Sequence, residues 1–266
     1  MLSQMFSLFL AEVRRSWIQF IRYPSEAIIG VFISTITFYF LFTGASYVAG
    51  PSGSLATADG AERLDVLVIG YVLWLLMLFV LSEATNSLEG EAKTGTLEQI
   101  FLSPHSAVTV FLLRALAGMA IRLLLIAVNL GLILLITGSN LAFPPLLVLP
   151  LATMLMAAYG FAFVLAGLVL LFKQVRQVLG GLQFGLLLLI GAPVENFSGV
   201  TKVMALMAPM TPSAGLLRDL MARAEGLSLG MLAIALLNGL FYLGLGFFCF
   251  SRAERVAKQR GLLSGY

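Results

Sequence analysis

The sequence predicts an all-α polytopic membrane protein with six transmembrane helices, an amphipathic helix at the N-terminus and an outward re-entrant helix pair before the last span. Three observations predict this class. Hydrophobic residues make up 60% of the 266 residues, with a mean hydropathy of +1.00. Charged residues make up 11%, where a soluble domain carries about 25%. Several uncharged apolar runs approach or exceed the ~20 residues a helix needs to cross a bilayer.

The elements follow in chain order. Residues 4–22 read as an amphipathic helix. Phe6, Leu10, Val13, Trp17 and Ile21 fall on one face, and Glu12, Arg15, Gln19 and Arg22 on another. Its charges rule out a span, while a basic face with a tryptophan suits a helix lying at the membrane surface. Tyr23-Pro24 ends it, because the residue before proline is pushed out of the helical region. The first span is 27–48, followed by the Gly- and Ser-rich loop from Gly50 to Ser54. The second span is 64–86, whose uncharged core lies between Asp65 and Glu83.

A polar stretch, residues 88–103, comes next. The third span, 105–137, contains Arg114 and Arg122. Arg114 lies about a third of the way in, within reach of the interface. Arg122 is deeper, where an arginine costs a few kcal/mol or more unless it pairs or snorkels. Arg122 therefore belongs either to a pathway or charge pair, or to a structural salt bridge. The fourth and fifth spans are 146–172 and 177–194, joined by a turn holding Lys173 and Arg176. Gly181 and Gly185 make a small-xxx-small pair in the fifth span, which permits close helix contact within the chain. Residues 195–225 mix charges with apolar residues and carry Pro209 and Pro212, so they read as two short helices that enter or lie on the membrane without crossing. The sixth span is 226–251, followed by a basic tail.

An even number of spans puts both termini on one side. That side, with the second-to-third and fourth-to-fifth loops, holds ten Lys and Arg residues against four on the other, and two more lie within the third span. Lysine and arginine accumulate on the cytoplasmic side, so the termini and residues 88–103 are expected in the cytosol and 195–225 outside. The net charge of +3 belongs to this asymmetry rather than to nucleic-acid binding. A single cysteine, Cys249, and a single histidine, His105, leave no Cys or His set for a metal site.

Within 88–103, Thr96-Leu97-Glu98-Gln99 has the spacing of a capping box, and Gly90 and Gly95 allow a sharp approach. Ser103-Pro104 stops the helix. The result is a helix of about two turns, with Leu97, Ile100 and Phe101 offering an apolar side in the cytosol.

These residues resemble a known family. The run from Glu91 to Ser106 is similar to the second-to-third-span loop of ABC type 2 exporter permeases, which carries an E-x-x-x-G-T-L-E element followed by a Ser/Thr-Pro step. Glu91, Gly95, Thr96, Leu97, Glu98, Ser103 and Pro104 match it. Farther on, Pro209, Leu217 and Arg218 fit the Pro-rich turn and Leu-Arg pair that precede the last span in that family. Ala92-Lys93-Thr94 departs from it, where many members are richer in Arg and Glu. The resemblance covers the whole chain. It implies that residues 88–103 form a cytosolic coupling helix, that two permeases (two copies, or one with a sister permease) pair, and that each holds a cytosolic ATPase subunit. ATP and Mg would sit on that partner, with no cofactor in this chain. Docking is expected through Leu97, Ile100 and Phe101, with Glu91 and Glu98 at the groove rim and membrane lipid and the ATPase flanking the N-terminal helix.

The chain has no nucleotide site of its own. A P-loop needs G-x-x-x-x-G-K-[ST] so that the lysine reaches the phosphates, and at Gly90–Thr96 the glycine spacing is right but Thr96 stands in the lysine's place. An intramembrane enzyme would need a paired-acid, Ser/His or metal set at membrane depth, and no HExxH or GxGD motif occurs. A secondary transporter or channel would favour inverted repeats with matching interruptions, and only one half has an obvious break. The family implies a pathway lined by the second and fifth spans, which here offer Tyr71, Trp74, Met77, Phe79, Gln183 and Phe184. That uncharged, aromatic lining fits hydrophobic drug-like or lipid-like molecules best, with polysaccharide or glycolipid export as the alternative.

Overall fold

The computed structural model describes residues 2–49, 58–95, 100, 106–171, 176–191 and 198–259. Among these residues the chain is helical, with no strand. Two helices open it, α1 (Leu2–Arg22) and α2 (Pro24–Ala49), separated by Tyr23 alone. The second span is one 37-residue helix, α3 (Ala58–Thr94). It carries on through Leu88 and Gly90, so the first part of the polar stretch continues the span rather than starting a separate element. The helix stops at Gly95, whose φ of 70° is left-handed and favours glycine.

Helix α4 (Ala107–Thr137) begins at Ser106, whose hydroxyl accepts from the Thr109 N–H, and ends at Gly138 with φ 68°. A 3₁₀ turn (Pro145–Leu147) leads into α5 (Val148–Leu171). The region expected to hold the fifth span gives α6 (Arg176–Gly191), 16 residues long. Two short helices follow, α7 (Gly199–Met207) and α8 (Thr211–Met221), hinged at Met210 with φ 66°. Pro212 stands in the first turn of α8, where its missing N–H has no intrahelical acceptor to lose. The last helix, α9 (Leu229–Gln259), outruns the uncharged stretch by two turns, with Lys258 Nζ donating to Glu254 one turn back.

Five of these helices are long and apolar enough to cross a membrane: α2, α3, α4, α5 with its preceding turn, and α9. The sequence expects six. The apolar part of α6, Gly180–Gly191, falls short of the ~20 residues that a crossing needs.

Burial orders the bundle. α3 and α5 are mostly buried, α4 is mostly half-buried, about half of α9 is exposed, and α2 is the least buried of the five. The tightest seam joins α5 to α9. A Cβ on Gly160 would overlap the Tyr242–Leu243 backbone, and one on Gly246 would overlap Gly160. Gly239 lies against the Thr153 carbonyl in the same seam. Phe163, Phe247 and Phe250 fill it farther along with edge-to-face ring contacts. Gly181 and Gly185, where the sequence pattern points to close packing within the chain, face open space. A small-xxx-small pair permits close approach without naming the helix that makes it.

The exposed α2 is held by side-chain hydrogen bonds. Asn129 of α4 donates to the Ser34 Oγ at 2.7 Å, the Thr35 Oγ1 at 3.1 Å and the Val31 carbonyl at 3.3 Å. Tyr71 of α3 donates its hydroxyl to the Ser34 carbonyl.

Candidate functional site

The ionic contacts of the chain gather at two ends of the bundle. The first end joins α1, the last turns of α3 and the first half of α4. Arg114 donates from Nη1 to Glu91 at 2.6 Å and to the Ser87 hydroxyl at 3.3 Å. Its Nε and Nη2 donate to the same Glu12 oxygen, each at 3.3 Å. The three charged side chains keep only 11 to 15% of their surface exposed. The other Glu12 oxygen is buried, has no hydrogen-bond partner among the described residues, and lies 3.7 Å from Arg15.

A second ion pair follows on the same two helices. Arg122 donates to Glu83 at 3.2 Å and lies over the Phe79 ring, 5.4 Å from its centre. Glu83 precedes Glu91 by eight residues on α3, and Arg122 follows Arg114 by eight on α4. The two pairs are therefore rungs in one antiparallel register, about 12 Å apart at 1.5 Å per residue. Arg122 thus has the charge partner that its depth in the span requires, and its rung closes the uncharged core of α3. Between the rungs, Ser87, Tyr159, Phe163 and Phe250 pack to leave a cavity of only about 10 Å³.

The matching interval of eight was present in the sequence and pairs these four residues once α3 and α4 are read as an antiparallel hairpin. Nothing in the local sequence marks Glu12, which lies 102 residues from its arginine. α1 presents three faces. Glu12, with the half-buried Phe9, Val13, Ser16 and Phe20, is turned from solvent; Phe6, Leu10, Trp17 and Ile21 form an exposed apolar stripe. Arg14, Arg15, Gln19 and Arg22 surround Ile18 on a third, polar face.

Of the expected docking residues, Glu91 is engaged by Arg114 inside the chain, and Gly95 is exposed at the helix break. Ile100 is half-buried and packs on the protein's own core. Thr96, Leu97, Glu98 and Phe101 lie outside the described residues.

The expected pathway residues divide. Tyr71 and Met77 are buried, Tyr71 under the Phe38 ring of α2. Trp74 is half-buried and donates its indole N–H to the Gln183 carbonyl of α6 at 3.1 Å. Phe79 and Gln183 are half-buried, and Phe184 is exposed.

The opposite end is organised by α8. Arg218 is completely buried and donates to the Ile190 carbonyl of α6. Leu217 is buried beside it. Pro209 lies in the α7–α8 elbow, which Asn238 of α9 braces by donating to the Leu206 and Ala208 carbonyls and accepting from the Met210 N–H. Arg223 pairs with Glu62 at the start of α3 and with Asp219. Among the described residues no group of three or more His, Cys, Asp or Glu could hold a metal ion.

Five apolar helices, a mostly buried α3 among them, with ionic contacts of the described residues gathered at two ends, define a multi-pass membrane protein. The sequence profile of the ABC-2 type transporter matches residues 7–222, from α1 to the end of α8, and the chain belongs to that family. It is the membrane-spanning permease part of an ABC transporter. No curated protein matches the chain.

Proposed function

We propose that the chain is the permease subunit of an ATP-driven exporter in the cell membrane, with both termini cytoplasmic. Two permeases form the pathway between them, and each carries a cytosolic ATPase subunit that hydrolyses ATP. α6 and the residues that follow it make a sixth crossing, α7 and α8 make the outward re-entrant pair, and residues 96–103 form the coupling helix. The apolar stripe of α1, with Trp17 at its middle, rests in the lipid surface. The observation that carries the reading is the meeting of motif and scaffold: α3 runs to Thr94 and stops at Gly95, inside the stretch from Glu91 to Ser106 that resembles the exporter motif, at the charged end of the bundle.

Ile100 packs inward and Glu91 is bound to Arg114, so docking rests on Leu97 and Phe101, with Glu98 at the rim. The Leu97→Asp, Phe101→Asp double variant should lose the ATPase that co-purifies with the unmutated chain; undiminished retention overturns the docking assignment.

The substrate is a hydrophobic drug-like or lipid-like molecule. The face of α6 around Phe184 and Leu188 is exposed, apolar and uncharged, and Gly181 and Gly185 beside it leave room for a second copy to approach. Trp74 and Gln183 flank that face, with Tyr71 and Met77 behind it. Stimulation of ATP hydrolysis by a lipophilic dye, absent with an anionic oligosaccharide, is the expected result; the reverse selects the polysaccharide alternative.

A further inference from the structure

From α4, Arg114 touches both α1 and the last turns of α3 through ionic bonds. A guanidinium is planar and always charged, and presents its five donors in a fixed fork. Here four hydrogen bonds use that fork, on two carboxylates and one hydroxyl drawn from two different helices. The cluster is nearly closed to solvent, so pulling any one helix away strips a buried charge of its partner. An uncompensated buried charge is among the most expensive states available to a protein. Such a cluster favours joint movement of its three helices over sliding between them.

The second rung adds direction. A single ionic contact between α3 and α4 could act as a pivot, but Glu83–Arg122, eight residues farther along both helices, fixes the angle and register of the pair as well. The coupling stretch after Gly95 is thus mounted on a two-helix lever rather than on a free loop. At its other half α4 grips α2 through Asn129. The contacts form one continuous path from the end of α3 through Arg114 and α4 to α2, the most exposed helix of the bundle.

Resting on the permease reading above, we propose that Arg114 is a positioning residue for transport: it joins α1, the end of α3 and α4 into one rigid body, so that movement of the coupling stretch reaches α4 and α2. Glu91, the first glutamate of the exporter-like motif, is then a strut inside the permease and not a contact with the ATPase.

The test uses the full complex of permease and ATPase. In a Cys249→Ser background, a spin label at Leu135→Cys, an exposed position near the far end of α4, reports the distance between two permease copies. Distances are compared without nucleotide and after trapping with ADP and vanadate. The unmutated complex is expected to change distance on trapping. Arg114→Gln and Glu91→Gln should lose that change while still co-purifying with an ATPase that hydrolyses ATP. Arg114→Lys should keep part of it, and the exchange Glu91→Arg with Arg114→Glu should restore part of it. An undiminished change in both neutral variants overturns the proposal. So does release of the ATPase by Glu91→Gln but not by Arg114→Gln, which would make Glu91 a docking contact. If Arg114→Gln does not fold, Glu12→Gln and Glu91→Gln decide, since each leaves the arginine one carboxylate; a change retained in both overturns the idea. Failure of the unmutated chain to hold any ATPase would refute the permease reading itself, whereas an unmutated complex with a bound, active ATPase and no distance change on trapping refutes only the role of Arg114.

Discussion

Arg218 shows what a single residue does in this bundle. A fully buried guanidinium is tolerated only where its charge has acceptors, and one of them is the Ile190 carbonyl at the end of α6. Substitution Arg218→Leu leaves that carbonyl without this donor. A hydrogen bond to a charged group contributes about 1.5–3 kcal/mol, and thermal unfolding of the purified protein should register a loss of that order. Nothing in the sequence marks this arginine as buried: its neighbours Asp219 and Arg223 are charged too, and the mixed composition of 195–225 reads as two short helices that enter or lie on the membrane. The resemblance of Leu217-Arg218 to a family motif marks the position without saying that it holds the end of α6. The sequence likewise offers Arg122 two roles, and it is the eight-residue interval shared with Glu83 and Glu91 that selects a partner.

At the scale of helices, the seam between α5 and α9 depends on the absence of side chains. Gly160→Ala puts a methyl group into the Tyr242–Leu243 backbone. Overpacking of a tight interior costs about 1–3 kcal/mol, and the melting temperature should fall accordingly. Gly180→Ala has open space around it and serves as the control, with no change expected. The existence and order of the long helices were legible because apolar length is written directly in the chain, and the ends of α4 follow from Ser106 and Gly138. Packing was not legible, because it depends on which surfaces meet. The glycine pair with the recognised spacing, Gly181 and Gly185, lies in an open face, while the glycines that make the seam lie in different helices. For the same reason Ile100, expected on the docking side from its spacing on a short helix, packs on the protein's own core instead.

The whole molecule is polarised. One end is tied by Glu12, Arg114 and Glu91, the other by Arg218, Arg223 and Glu62. The distribution of lysine and arginine predicts that the first end faces the cytosol. In a Cys249→Ser background, a membrane-impermeant maleimide added to intact cells should label Asn140→Cys and Glu225→Cys but not Lys258→Cys, all three exposed positions; the opposite pattern would invert the orientation and remove the coupling stretch from the ATPase. The expected orientation needs only charge counts and span order, so the sequence alone supplies it as an expectation. The cluster of Glu12, Arg114 and Glu91 was not legible, because its members are brought together only when the fold is complete.

The loose hold on α2 bears on how the protein is made. α2 leaves the ribosome before α3 and α4, so on entering the bilayer it has none of the partners that later hold it. Its polar side chains suit that interval. Ser34 and Thr35 donate to the Val31 carbonyl and Thr37 to the Ile33 carbonyl, so these hydroxyls find acceptors within α2 itself. A solitary α2 in lipid therefore leaves none of these three donors unsatisfied, and nothing in that set forces it to aggregate or retreat. The hydroxyl oxygens still have lone pairs to offer. When α4 is synthesised, almost a hundred residues later, the Asn129 amide takes them up. Assembly of the first span is thus a later addition of two donors, first Tyr71 of α3 and then Asn129 of α4, to a helix whose hydroxyls already have acceptors of their own.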